Sequence, residues 1–107
     1  MEKIIVQYLP EVELYLNELT YRMFEKEYFG FLESSFQYID NLVDFIEHNL
    51  PIFPHKFTPE NLIDLGSKYI FYKANPSTTW YIFFESSDHR FLVTYITNNY
   101  SEIIQFL

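Results

Sequence analysis

No cysteine occurs in the 107 residues, which excludes disulfides and thiolate chemistry and leaves the redox compartment open. Glycine occurs twice, at Gly30 and Gly66, so there is no glycine-rich loop to cradle a phosphate. No apolar run approaches the roughly 18 residues that a membrane-spanning helix needs. The opening MEKIIVQYLP is too short and too acidic for a signal peptide, so the expected location is the cytoplasm, with no membrane partner. Of the three histidines, His48 and His55 are separated by a proline-containing loop with no third ligand nearby. That spacing suggests no metal site, and no cofactor is expected.

Cationic side chains are also scarce, at seven against 15 acidic ones, for a net charge of −8. The imbalance is uneven. Residues 1–50 hold ten acidic and three basic side chains, and residues 51–107 hold five and four. An acidic first half repels phosphate backbones, so any nucleic-acid contact is expected in the second half. Aromatic residues, by contrast, are plentiful, with 12 Phe and ten Tyr. Each large ring can bury roughly 150–250 Å², enough for one domain of this length to build its core from few elements.

Residues 3–9 (KIIVQYL) are β-branched and aromatic and end at a proline, which predicts a strand. Pro10 suits a first helical turn, and Glu11 and Glu13 stand beside the free amides there. Val12, Leu16, Leu19 and Met23 then recur at helical spacing, with an expected stop near Gly30. Leu32, Phe36, Ile39, Val43 and Ile46 mark the apolar face of a second helix that Pro51 ends. Residues 50–65, with three prolines, read as an irregular crossover in which Thr58 caps a turn opened by Pro59. Strands are expected over 68–74, 79–85 and 90–97, with turns at Asn75-Pro76-Ser77 and Ser86-Ser87-Asp88-His89. The fold class is α+β: an N-terminal strand, a two-helix hairpin and a three-stranded antiparallel meander in a four-stranded sheet.

Centring the last turn between Ser87 and Asp88 pairs Phe84 with Phe91, Ile82 with Val93 and Trp80 with Tyr95 on one face. Glu85 with Arg90, Phe83 with Leu92 and Tyr81 with Thr94 then share the other. Both faces are apolar, and two helices cover only one. Trp80 belongs to the covered face. The face bearing Tyr81, Phe83 and Leu92 needs the crossover, a second copy of the chain or another partner to cover it.

The element order, and above all residues 65–102 (LGSKYIFYKANPSTTWYIFFESSDHRFLVTYITNNYSE), resemble the RelE/ParE superfamily of toxins from bacterial type II toxin–antitoxin pairs, also described as plasmid-stabilisation proteins. Residues 8–19 (YLPEVELYLNEL) are similar to that superfamily's entry into its first helix. The resemblance implies a cognate antitoxin that neutralises the toxin, and one of two targets: mRNA on the ribosome, which RelE-like members cleave, or DNA gyrase, which ParE-like members inhibit. It also implies, for an mRNA-cleaving member, basic groups on the sheet that steady phosphate. The candidates here are Lys68, Lys73 and Arg90, with His89 as base and Tyr95 across the sheet from Lys68. Two positions depart from the family pattern. Ile70 follows Tyr69 where many members carry Arg, and Asn98-Asn99 stands where His or Lys-Arg is frequent. Asn98 and Asn99 are therefore candidates for contact with a target or antitoxin, and otherwise cap a turn. His48 is expected to act on the C-terminal end of the second helix.

Overall fold

At Leu9 the chain passes from strand to helix because Pro10 has no amide to give a ladder. The Leu9 carbonyl accepts the amides of Val12 and Glu13 at 2.9 and 3.1 Å, and so starts the helix. The computed structural model describes residues 3–25 and 32–107. Strand β1 covers Ile5–Tyr8, helix α1 Pro10–Glu25 and helix α2 Leu32–Asn49. Val12, Leu16 and Leu19 are buried, as their spacing predicts. The expected stop at Gly30, and the side chains of Met23 and Leu32, lie outside the described residues. His48, in the last turn of α2, sets Nδ1 2.7 Å from the Asp44 carbonyl. A carbonyl only accepts, so Nδ1 carries the proton in that contact.

Helix α2 is rotated from the expected orientation. Its core side is Ser35, Ile39, Leu42 and Ile46, whereas Phe36 is 43% exposed and Val43 only half-buried. Ile39 and Ile46 belong to both stripes, so periodicity could not tell on which flank the sheet would lie.

The crossover contains one element too short to show a period, strand β2 at Lys56–Phe57, followed by a 3-10 helix at Glu60–Leu65. Thr58 does not cap that helix. Its buried hydroxyl has no hydrogen-bond partner among the described residues. Its amide instead donates to the Ser67 carbonyl at 3.0 Å.

Strands β3 (Lys68–Asn75), β4 (Thr78–Ser87) and β5 (Arg90–Asn98) form the expected meander. With β1 and β2 at its edges the sheet has five strands in the order β1-β5-β4-β3-β2, one more than expected. It is mixed, because β1 runs parallel to β5 while the other pairs are antiparallel.

The β4–β5 register also differs from expectation. Asp88 and His89 alone make the turn, with Ser87 opposite Arg90 and Phe84 opposite Val93. Asp88 reaches φ 53°, a left-handed conformation that Asp tolerates better than most residues. Glu85 consequently faces Leu92 rather than Arg90. The Glu85 carboxylate accepts the Ser67 amide at 3.0 Å and the Ser67 hydroxyl. Beyond Phe84 a bulge at Thr94 changes the parity, so that Phe83 opposes Tyr95, Ile82 opposes Ile96 and Trp80 opposes Asn98. One inserted residue thus moves Tyr95 off the helix-covered face and puts Ile96 in its place.

The helix-side core joins Val12, Leu16, Leu19, Ile39, Leu42 and Ile46 to Ile70, Trp80, Ile82, Phe84, Val93 and Ile96. Trp80 lies in it, as expected, and donates Nε1–H to the Tyr38 hydroxyl at 2.8 Å. Among the described residues no helix is long and apolar enough to cross a membrane.

Burial raises four phenol pKa values: Tyr8, Tyr15, Tyr38 and Tyr69 all lie above the ordinary value, in each case chiefly through desolvation. Glu47 and, more weakly, Glu13 push Tyr8 further in the same direction. A raised native pKa means that the folded chain holds protons that the unfolded chain releases. The associated stability is complete below about pH 10 and falls as pH rises through the native values. Urea midpoints should therefore drop steadily above that pH. Phenolate absorbance should titrate later in the native protein than in the denatured one. Superimposable titrations would contradict this account.

Candidate functional site

Odd-numbered residues of β3 and β4 point away from the helices, and they carry rings. Tyr69 opposes Phe83 and Phe71 opposes Tyr81, and the bulge adds Tyr95 beside Phe83. Ring centroids lie 5.5 Å apart for Tyr69–Phe83, 6.1 Å for Phe83–Tyr95 and 6.5 Å for Phe71–Tyr81. The result is an aromatic ribbon across three strands on the outer face of the sheet.

The crossover covers part of this ribbon. Thr94 Oγ1 donates to the Leu65 carbonyl at 2.5 Å. Gly66 lies so close that a Cβ on it would stand 3.0 Å from Phe83 Cβ. Phe83 is consequently 0% exposed and presents no surface to a partner. Tyr81 and Leu92 stay half-buried, whereas Phe71 and Tyr95 remain 36% and 37% exposed. The open part of the ribbon therefore centres on Phe71, Tyr81 and Tyr95. Sequence reasoning missed Phe71 as a surface group. Its odd parity with Tyr69 was available, but the β3–β4 register that sets it opposite Tyr81 was not.

Cations flank the ribbon without converging. Lys56 Nζ lies 5.8 Å from the centre of the Phe71 ring, a favourable cation–π placement. Lys73 is exposed opposite Thr79 at one end of β4, and Arg90 is exposed opposite Ser87 at the other. At about 3.3 Å per residue they stand roughly 26 Å apart along that strand. Lys68 points to the other side of the sheet, where Nζ donates to Ser86 Oγ at 2.8 Å. It is not near Tyr95, which the bulge has turned outward. His89 is half-buried in the turn, and its carbonyl accepts the Ile5 amide at 2.9 Å, fastening β1 to the hairpin. The five candidates for phosphate chemistry are thus distributed over both faces and both ends of the sheet. Such spacing does not let Lys68, Lys73, His89 and Arg90 act together on one phosphodiester.

Asn98 and Asn99 make bonds to the local backbone. Asn99 Oδ1 accepts the Thr79 amide at 2.8 Å and its Nδ2 donates to the Ser77 carbonyl at 3.1 Å. Asn98 Oδ1 accepts the Tyr100 amide at 3.0 Å. They close the end of the β4–β5 pair, the turn-capping role. Among the described residues no group of three His, Cys, Asp or Glu side chains is arranged to hold a metal ion.

Comparison with protein-family models, with curated proteins and with solved structures finds no match to this chain.

Proposed function

We propose that this chain is the toxin component of a toxin–antitoxin pair and that it acts by binding a protein through the outer sheet face, rather than by cleaving RNA. The single observation that carries the binding part is the open stretch of the aromatic ribbon, where Phe71 and Tyr95 stay exposed beside half-buried Tyr81. Exposed rings held on a rigid sheet give large contact area at little entropic cost, as protein interfaces require. The toxin part rests on the likeness of residues 65–102, and of the element order, to the RelE/ParE superfamily. The dispersal of Lys68, Lys73, His89 and Arg90 favours a protein target, such as gyrase, over ribosome-bound mRNA. In this reading a cognate antitoxin neutralises the protein by covering a surface that the target needs.

Induced expression without the antitoxin should arrest growth while leaving transcripts whole. The double variant Phe71→Ser/Tyr95→Ser, at exposed positions, should abolish the arrest without altering the thermal midpoint by more than about 2 °C. Lys73→Ala and Arg90→Ala should leave the arrest intact. Fragmented transcripts, with an arrest that depends on Lys73 or Arg90, would replace this reading with ribonuclease activity. Expression without any growth defect would leave only a binding module.

A further inference from the structure

The rotation of α2 that removes Phe36 from the core places it beside a groove between the two helices. The groove has a volume of about 530 Å³ and is floored by Leu16 and Ile39, with Tyr21, Phe36 and Val43 along its walls. Phe36 and Tyr21, in edge-to-face contact at 5.8 Å, remain 43% and 52% exposed. Phe36, Asp40, Val43 and Glu47 follow one another at helical spacing, so apolar and acidic groups alternate along one stripe of α2. Glu13 faces the groove from α1, and Tyr8 closes one end, donating to Glu47 at 3.3 Å.

The charge around this groove has one sign. Glu13, Asp40 and Glu47 are exposed. Arg22, the one Lys or Arg on the described parts of the hairpin, is paired with Glu18 at 3.2 Å. It does not neutralise the acidic border. An apolar floor with an anionic rim is complementary to a helix that has an apolar stripe and flanking Lys or Arg. From Phe36 to Glu47 the stripe is about 17 Å long at 1.5 Å per residue, which is room for about three turns.

We infer that the α1–α2 groove is a docking site for a basic amphipathic helix of a partner protein, separate from the aromatic sheet face. Phe36, Val43 and Leu16 take its apolar stripe, and Glu13, Asp40 and Glu47 meet its cations. A second copy of the chain is disfavoured as occupant, because its hairpin would bring the same acidic stripe against this one.

The probe is a synthetic helix of about 18 residues with Leu at i, i+3, i+4 and i+7 and Lys elsewhere. It is compared with a scrambled peptide of identical composition and with a version carrying Glu for Lys. Calorimetry and amide shift mapping on the full chain should show that the Lys helix binds at α1 and α2. The scramble should bind about ten-fold more weakly and the Glu version not at all. Glu13→Lys/Asp40→Lys should weaken binding about ten-fold and flatten its salt dependence. Phe36→Ser should weaken it comparably with the salt dependence kept. Equal binding of the scramble, indifference to Phe36→Ser, or shifts confined to Phe71 and Tyr95 would overturn the inference. So would a concentration-dependent dimer that Phe36→Ser abolishes, since that would make a second copy the occupant. Loss of toxicity in the sheet-face variant has no bearing on this result, so the two surfaces are tested independently.

Discussion

Trp80→Ala is expected to lower the unfolding free energy by about 3–5 kcal/mol. That is a large fraction of the roughly 5–15 kcal/mol typical of a whole domain. Trp80 is fully buried near the start of β4, within the core that joins the helices to the sheet. Its ring meets Tyr38 at 6.4 Å and 63°, and its indole N–H is satisfied by the Tyr38 hydroxyl. Truncation removes the ring and its hydrogen bond to Tyr38 and leaves a void between α2 and β4. Trp80→Phe keeps much of the volume and loses the bond, so its cost should be distinctly smaller. Urea denaturation of both variants checks the ordering. A loss near the roughly 0.5 kcal/mol of an ordinary surface change would show that Trp80 does not hold the two layers together.

Gly66→Ala should destabilise by roughly 2–5 kcal/mol, combining backbone strain with overpacking. Gly66 has φ 154° and ψ 144°, a region that glycine alone adopts readily. An added Cβ would lie 2.5 Å from Thr94 Oγ1, 2.9 Å from the Phe84 amide nitrogen and 3.0 Å from Phe83 Cβ. The hydroxyl could be removed, but the backbone nitrogen could not move without shifting β4. Thr94→Ala should therefore fail to rescue Gly66→Ala, and thermal midpoints of the single and double variants would show this. Full rescue would mean that the only obstacle is the Thr94 side chain. Because Gly66 brings the crossover down on Phe83, the Gly66→Ala variant should also expose more of the aromatic ribbon.

The two helices were legible because Pro10, the acidic first turn and the three- and four-residue apolar spacing all agree. The meander was legible because its strands are long, aromatic and punctuated by turn residues. Strand β2 was not, since two residues carry no period. The register failed for a different reason. A four-residue polar break allows several turns, and the bulge at Thr94 has no signature in a run as uniformly apolar as FLVTYI. Its consequence was large for the site, because it exchanged Tyr95 for Ile96 in the core and brought Tyr95 to the outer face. Lys68 and Lys73 are separated by an odd number of positions on one strand, so alternation alone puts them on opposite faces. The distance from Lys73 to Arg90 follows from strand pairing, which linear spacing does not disclose.

By itself, then, the amino-acid order determined what the longer segments become and that the sheet has rings on both sides. Those properties depend on neighbours a few residues away, on alternation, helical spacing and the backbone limits of proline. Apart from Trp80, expected in the core and found there, tertiary structure decided which rings are surface and which are core. Burial is a property of two elements in contact, and one rotated helix or one bulged strand reassigns it without any change in local preference. Phe83 was sealed by Gly66, Phe71 and Tyr95 were left open, and Phe36 was turned from the expected core to the wall of a groove.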